Sequence, residues 1–400
     1  MRFGLDRIRR LLNVLELAEM PFPSVHIVGT NGKSSTSRMT AALLERHGLR
    51  TGCFTSPHLL SYRERIRIGE RDIAPERFAA QVAATVHAAD LVDRSQGDPN
   101  DRVTQFELLT AAALSEFARE RVDVAVLEAG LGGRYDATSV VGSPVVVLTN
   151  VGLEHTRYLG PTVADIAREK LAVVGPGATL VVGPHLHPDA LALAAATAAE
   201  HEATLVQVVE DPDGCPRLLA RGAYQRRNFA VARAAATALL GHPLDPSAVE
   251  DAAATVTVPG RFEVRAGEPL TILDTAHNPA AIESVGESLP EVVGSRRLVT
   301  LVSILDDKDA ATMLALLAQR SDAVVCTACA SSRALPAATL GSLLAQVGAD
   351  TSAVVEPDPR RALDRARELA GGDGVVLVTG TTYLVADLLR DPRSGPGSEF

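Results

Sequence analysis

The sequence lacks three features that would each direct it to a particular class of protein. It has only four cysteines, too few and too scattered for a disulfide framework, which indicates a reducing compartment. Its net charge is −10 and its basic residues form no long tract, so no nucleic-acid partner is expected. No apolar run reaches membrane-spanning length, and the first residues carry no apolar signal-peptide core. These absences predict a cytoplasmic protein with no membrane partner.

The most informative segment, Gly29–Ser35, has the features of a loop that holds a polyphosphate. It follows the apolar run Val25–Val28 and precedes Thr36–Arg46, which has the composition of a helix. Its two glycines permit backbone angles that turn successive N–H groups toward phosphate oxygens, and the helix N-terminus adds partial positive charge. Lys33 is placed to reach the β- and γ-phosphates. The glycines are closer together than in the usual Walker pattern, so a plain glycine turn between strand and helix stays an alternative.

Strand-like and helix-like segments alternate through nearly the whole chain, which is typical of α/β folds with largely parallel sheets. The pattern restarts around Pro259–Arg261, and a second series of strands follows. We therefore predict a P-loop ATPase domain with a mostly parallel sheet at 1–264 and a smaller C-terminal, Rossmann-like α/β domain at 265–392. Residues 393–400 have the composition of a disordered tail or a cloning scar.

Three polar side chains in the first domain stand near the ends of predicted elements. Glu128 ends the apolar run Val122–Leu127 and precedes a glycine-rich segment, which is where a nucleotide-binding sheet normally holds a magnesium ligand. A partly exposed strand-end glutamate is the alternative. His155, which follows Val145–Leu148, is by itself a polar cap at a strand end. Lys170 lies on a predicted helix and by itself indicates a solvent-facing cation.

The second domain offers an arginine, an acid and a histidine near its first strands. The planar guanidinium of Arg261 could clamp a phosphate, and an interdomain salt bridge is the alternative. Asp274 and His277 follow the predicted strand Leu270–Leu273, at the carboxyl end where open α/β sheets bind ligands. A turn that caps the next helix at Asn278 would explain the same residues without a ligand.

In combination, these segments resemble the folylpolyglutamate synthase/dihydrofolate synthase family of the Mur-ligase superfamily. The resemblance covers almost the whole chain. Besides the Gly29–Ser35 loop, it is carried by motifs that occur in family order, namely Thr55–Leu59, Glu128–Thr138, His155 with Leu159–Thr162, Ile166–Lys170, Tyr224–Gln225 with Asn228, Pro259–Arg261, Asp274–Pro279, Asp307–Asp309 and Gly380–Tyr383. The Ser-Pro-His-Leu and Glu-Lys elements separate this family from the cell-wall Mur ligases.

This resemblance implies an ATP-dependent amide ligase that adds L-glutamate to folates through an acyl phosphate, with dihydropteroate as a second candidate acceptor. It implies ATP and two magnesium ions as cofactors and small molecules as substrates, and we expect a monomer. The family positions assigned to catalysis correspond to Lys33, His155 and Lys170. Those assigned to the nucleotide correspond to Thr30, Asn31, Gly32, Lys33, Ser34, Ser35, Asn228, Arg261, Asp274 and His277. Those assigned to metal correspond to Ser56, Glu128, His155 and, as a carbamate, Lys170.

Three residues depart from the family pattern. Ser34 replaces a glycine of the phosphate loop, Glu154 replaces an aspartate before the histidine, and Thr275 replaces a glycine after Asp274. A serine is tolerated at position 34 if its φ is negative. The departures leave the expected ATP and metal chemistry in place and concern the acceptor substrate.

Two other functions fit parts of the pattern. One is a superfamily ligase that uses the same metal site with a different acceptor. The other is a nucleotide-binding regulator that has lost catalysis. The complete set of Lys33, Ser56, Glu128, His155 and Lys170 argues against a regulator, because a non-catalytic descendant has no need of metal ligands.

Overall fold

The structure, a computed structural model, describes residues 4–96, 101–210, 215–347 and 351–391. The chain divides into two compact units, named here unit 1 (residues 1–219 and 227–256) and unit 2 (220–226 and 257–400). This division falls after Val256, whereas the boundary predicted from the sequence, 264/265, falls inside a short strand of unit 2. The tail predicted at 393–400 lies outside the described residues.

A mostly parallel sheet forms the centre of unit 1. Its strands are β1 Ser24–Val28, β2 Thr51–Phe54, β3 Ile66–Ile68, β4 Arg71–Asp72, β5 Val124–Glu128, β6 Val145–Leu148, β7 Thr179–Val182 and β8 Thr204–Gln207. Within the described ranges the eight strands lie in the order β4-β3-β2-β5-β1-β6-β7-β8. Among the described strands of this sheet, only β3 and β4 pair in antiparallel fashion with their neighbours. Every residue of β1, β5 and β6 is buried, as expected for central parallel strands covered by helices.

The helices of unit 1 are α1 Asp6–Val14, α2 Lys33–Arg46, α3 Pro75–Gln96, α4 Gln105–Arg119, α5 Thr156–Leu159, α6 Val163–Leu171, α7 Pro188–Glu200, α8 Ala223–Leu240, whose first turn belongs to unit 2, and α9 Pro246–Thr255. Two hydrophobic cores join several of them to the sheet. One core joins α1, α3 and α4 to β2 and β5. The other joins α6 and α7 to β6 and β7. The predicted α/β class with a parallel sheet is confirmed.

Unit 2 has its own sheet and core. Its strands are β9 Glu263–Arg265, β10 Leu270–Leu273, β11 Leu298–Val302, β12 Ala323–Cys326, β13 Ser352–Val355 and β14 Val375–Thr379. In the described part of this unit they lie in the order β13-β12-β11-β14-β10-β9, and β9 is antiparallel to β10. The helices are α10 Pro279–Ser288, α11 Pro290–Val293, α12 Ala310–Ala318, α13 Ala337–Gln346, α14 Pro359–Ala370 and α15 Thr382–Leu389. Across all described residues, no helix has the length and apolarity to cross a bilayer.

The segment between β2 and β3 differs from the sequence-based prediction. Alternating charge predicts a strand from Arg65, but Tyr62–Arg65 forms a 3₁₀ helix and the strand begins at Ile66. The cause is a capping box in which the Glu64 carboxylate accepts from the N–H of Ser61 at 2.7 Å. The same carboxylate accepts from the N–H groups of Leu59 and Leu60, each at 2.8 Å. These bonds fold the chain tightly just after Ser56.

Candidate active site

The phosphate loop connects β1 to α2, and its two glycines have no room for a side chain. Gly29 has φ 152°, and a Cβ there would lie 1.9 Å from Oγ1 of Thr149. Gly32 has φ 82°, and a Cβ there would lie 2.5 Å from Oδ1 of Asn228. The predicted glycine loop is therefore present, and Asn228 lies beside it within unit 1.

Residues after β6 fix the conformation of the loop. The N–H of Thr30 donates to O of Asn150 at 3.0 Å, and the N–H of Asn31 donates to Oδ1 of Asn150 at 2.8 Å. The hydroxyl of Thr149 donates to O of Asn31 at 2.7 Å. Because the Asn31 amide already has a partner in Asn150, the loop is shaped by contacts inside the protein.

Two lysines donate to the same carbonyl oxygen of this loop. Nζ of Lys33 lies 3.0 Å from O of Gly29 and 3.0 Å from O of Thr30. Nζ of Lys170 lies 2.8 Å from O of Gly29 and is buried. Burial, and next the charge of Lys33, lower the pKa of Lys170 to about 7, while the charges of Glu154 and Asp136 oppose the shift. The solvent-facing alternative for Lys170 is thus wrong.

A close approach of two backbones brings Lys170 to the loop. A Cβ on Gly133 would lie 2.6 Å from O of Glu169 and 2.8 Å from O of Lys170. Next to it, the N–H of Arg134 donates to O of Glu169 at 2.9 Å, and the two side chains form an ion pair at 2.9 Å. The glycine-rich segment after β5 therefore packs directly on the end of α6 and determines where Lys170 lies.

Glu128 is the buried carboxylate at the end of β5, so the exposed alternative for this residue is also wrong. Oε1 accepts from the hydroxyl of Ser34 at 2.8 Å, and Oε2 accepts from the N–H of Ser56 at 3.0 Å. Ser34 lies in the first turn of α2, where φ is negative, so a serine fits there without strain. The structure brings together Ser34, Ser56 and Glu128, three of the predicted site residues.

His155 precedes α5 in a left-handed conformation, with φ 52°. Its side chain is exposed, and its Nε2 lies 3.9 Å from Oε1 of Glu154. The described residues contain no cluster of three or more His, Cys, Asp or Glu side chains that could hold a metal ion. Of the four residues predicted to bind metal, only Glu128 and His155 belong to those residue types. The other two ligands would be the Ser56 hydroxyl and a carbamate on Lys170.

A buried network beneath the glycine-rich segment was missed by the sequence analysis. Oδ2 of Asp136 accepts from the N–H groups of Gly130 at 2.9 Å and Leu131 at 2.8 Å, and Oδ1 accepts from the N–H of Thr138 at 3.0 Å. The Thr138 hydroxyl also donates to Asp136 and lies 2.8 Å from Nε2 of His26. Burial raises the pKa of Asp136 and lowers that of His26 to about 4. The available signal was an aspartate shortly after three glycines.

Unit 2 places Arg261, Asp274 and His277 on neighbouring turns. Asp274 is buried, and its carboxylate accepts from the Tyr224 hydroxyl at 2.6 Å and from the N–H groups of Phe262 at 2.8 Å and Ala276 at 2.7 Å. Burial raises the pKa of Asp274, and the Tyr224 hydroxyl and the charge of Arg261 oppose the shift. His277 is half-buried, and its Nδ1 lies 3.0 Å from O of Thr275. Asn278 caps α10 by accepting from the N–H of Ala281 at 2.9 Å, so the helix-capping turn named as an alternative for this segment is present.

Comparison with known proteins finds relatives along nearly the whole chain. Residues 27–177 match the Mur ligase middle domain family, and residues 260–382 match the family described as Mur ligase, glutamate ligase domain. A dihydrofolate synthase/folylpolyglutamate synthase of Mycobacterium tuberculosis is 34% identical over 368 residues, which are 83% of this chain and 75% of that protein.

Solved structures agree with the sequence comparison. The Mycobacterium tuberculosis folylpolyglutamate synthase complexed with ADP aligns with a TM-score of 0.90 at 32% identity, over 98% of this chain and 96% of that one. A bifunctional folylpolyglutamate synthase/dihydrofolate synthase with Mn, AMPPNP and L-glutamate bound aligns with a TM-score of 0.83 at 31% identity, over 97% of this chain and 94% of that one.

Proposed function

The chain belongs to the folylpolyglutamate synthase/dihydrofolate synthase family of the Mur ligases, and from this premise we propose how its residues divide the work of an ATP-dependent ligation of glutamate to folate. A carboxylate is a poor electrophile, so one oxygen of the folate carboxylate first takes the γ-phosphoryl group of ATP, and ADP leaves. The amine of glutamate then attacks the acyl carbon, the amide bond forms and phosphate leaves. We propose dihydropteroate as a second acceptor.

Our proposal gives the phosphates of ATP to the loop Thr30–Ser35, with Asn228, Arg261, Asp274 and His277 as further nucleotide-binding residues. Lys33 supports this role because its ammonium already lies against the loop carbonyls. Lys33 and Arg261 would neutralise charge on the transferring phosphoryl group, which is the main catalytic requirement of this reaction.

Divalent metal binding is proposed at Ser56, Glu128 and His155. Carboxylate, hydroxyl and imidazole are suitable ligands, and Ser56 and Glu128 are already in contact through the Ser56 amide. When bound, magnesium would supply positive charge to the phosphate oxygens. Two ions remain a proposal, since Glu128 would have to serve both.

Carbamylation of Lys170 is proposed on the basis of its environment. With a pKa of about 7, a large share of this amine is neutral at physiological pH. Neutral Nζ can attack the carbon of CO₂, form an N–C bond and release one proton to water, which leaves a carbamate anion. The negative charge of this carbamate would attract the ammonium of Lys33. Lys170→Ala should lose activity and regain part of it with acetate or formate, whereas Lys33→Ala should not; no rescue of Lys170→Ala would contradict the carbamate.

The observation that carries the functional proposal is the pair of lysines on the Gly29 carbonyl, in a loop whose Ser34 hydroxyl donates to Glu128. The test is phosphate release from Mg-ATP and L-glutamate with tetrahydrofolate, dihydropteroate or no acceptor, with mass analysis of the products. We expect one glutamate residue added to tetrahydrofolate, and loss of this product in Lys33→Ala and Glu128→Gln. Retained turnover in either variant would contradict the assigned roles. A monomeric state and a cytoplasmic location also remain proposals.

A further inference from the structure

A strained turn in unit 2 carries Arg261. The turn runs from Pro259 to Glu263, and both neighbours of Arg261 have positive φ, 67° at Gly260 and 51° at Phe262. Glycine adopts such angles freely, but a buried phenylalanine does so at a cost in free energy. Phe262 is only 1% exposed. Strain of this kind persists where surrounding contacts enforce it, and it concentrates at functional sites.

One buried carboxylate enforces this conformation. Oδ2 of Asp274 accepts both from the N–H of Phe262 at 2.8 Å and from the hydroxyl of Tyr224 at 2.6 Å, while Oδ1 accepts from the N–H of Ala276 at 2.7 Å. Asp274 thus ties the start of α8, the strained turn and the turn that leads to His277. Two donors fill the lone pairs of Oδ2, and the side chain is buried.

Tyr224 contacts Phe262 in addition to its hydrogen bond with Asp274. Its ring meets that of Phe262 edge to face, with centroids 6.4 Å apart and planes at 86°. Burial raises the pKa of its hydroxyl well above the ordinary value, so Tyr224 stays a proton donor to Asp274.

The backbone on either side of the Arg261 side chain is fixed too. The N–H of Thr275 donates to O of Gly260 at 3.0 Å, and Nε2 of Gln225 donates to O of Arg261 at 3.3 Å. The N–H of Gly260 donates to the Glu263 carboxylate at 2.9 Å. Both peptide groups that flank Arg261 are therefore held, and its side chain is half-buried.

We propose that Tyr224 and Asp274 are positioning residues that hold Arg261 in the orientation needed to bind the phosphates of a nucleoside triphosphate. This positioning role is additional to the direct nucleotide contact that the resemblance implies for Asp274. The inference rests on the phosphate-binding role proposed for Arg261. It makes a single tyrosine hydroxyl, outside the phosphate contacts, a determinant of nucleotide affinity.

A double-mutant cycle on the full chain tests this inference. The variants are Tyr224→Phe, Arg261→Ala and the combination, and the readouts are ATP affinity by calorimetry and the thermal unfolding temperature. Loss of a hydrogen bond to a buried charge typically changes an equilibrium by about tenfold or more. We expect Tyr224→Phe to weaken ATP binding by about tenfold in the parent and by less than twofold when Arg261 is already alanine.

The other possible results contradict either the positioning role or the role of Arg261. An equal loss of affinity in both backgrounds, or no loss in the parent, overturns the positioning role. Unchanged affinity in Arg261→Ala overturns instead the role proposed for Arg261. Should Tyr224→Phe not fold, Asp274→Asn takes its place, since asparagine keeps the shape and one acceptor oxygen, and the same dependence on Arg261 is expected.

Discussion

The amines of Lys33 and Lys170 share the Gly29 carbonyl. Both side chains donate to this single oxygen, and Lys170 is buried. If both amines were protonated, their like charges would repel where water is excluded, which contributes, after burial, to the lowered pKa of Lys170. A bound polyphosphate, or a carbamate on Lys170, would relieve that repulsion. The pair is therefore better suited to binding anions than to stabilising the fold.

The stability of the protein should depend on pH through Lys170. Its pKa is 10.5 when unfolded and about 7 when folded, so between these values the unfolded chain binds more protons and stability rises with pH. The cost of burying the ammonium is fully present below pH 7 and disappears above pH 10.5. In CO₂-free buffer, the unfolding free energy of Lys170→Met should therefore exceed that of the parent by more at pH 6 than at pH 9, with a difference of about 3 kcal/mol. If urea unfolding gives the same difference in unfolding free energy between Lys170→Met and the parent at both pH values, this prediction is contradicted.

Ser34 should affect the affinity of the Glu128 site for metal. Its hydroxyl donates to Oε1 of Glu128 at 2.8 Å and fixes the rotamer of that carboxylate. Ser34→Gly leaves Glu128 with one donor fewer, and we expect Mn²⁺ to bind roughly threefold to tenfold more weakly. Ser34→Thr keeps the hydroxyl and serves as the matched control. Electron paramagnetic resonance can measure free Mn²⁺ without turnover; identical affinities in the glycine and threonine variants would rule out this role.

Among the secondary-structure elements, the strand–loop–helix unit β1–α2 was the easiest to predict. Its signals are local, namely an apolar run, two glycines and a lysine with hydroxyls, and the structure places the helix start at Lys33. The 3₁₀ helix at Tyr62–Arg65 was missed, although Ser61 and Glu64 have the spacing of a capping box. The alternation of charged and apolar residues from Arg65 to Ile68 predicted a strand that begins at Arg65. In the structure, the capping box holds Arg65 in the 3₁₀ helix, and the strand begins at Ile66.

The contact between α6 and the glycine-rich segment gives a test at the level of elements. Gly133→Ala would bring a Cβ within 2.6 Å of O of Glu169, so α6 must shift and carry Lys170 with it. We expect activity to fall at least tenfold, with a loss of stability of about 1–3 kcal/mol as in other overpacked sites. Gly142→Ala is the matched control, because a Cβ there meets nothing within 4 Å. A Gly133→Ala variant as active as Gly142→Ala would show that this contact does not position Lys170.

For the whole molecule, periodicity and composition predict the two-sheet α/β architecture, because buried parallel strands are apolar runs such as Val145–Leu148. The boundary predicted at 264/265 lies within β9, a short antiparallel edge strand without a strong apolar signal. Local pattern predicts the phosphate loop and Glu128 but not the contacts between distant parts of the site. Lys170 meets Gly29 across 141 positions, and only the resemblance to a family linked them. The hydrogen bonds of Asp136 and Tyr224 likewise depend on the fold.

We propose that this chain joins glutamate to folate through an acyl phosphate. The most direct measurement uses tetrahydrofolate labelled with ¹⁸O in its reacting carboxylate, together with Mg-ATP and L-glutamate. Attack of one carboxylate oxygen on the γ-phosphorus predicts one ¹⁸O atom in each phosphate released, with the other retained in the new amide. Phosphate that carries no label, with glutamate-dependent product still formed, would contradict the account.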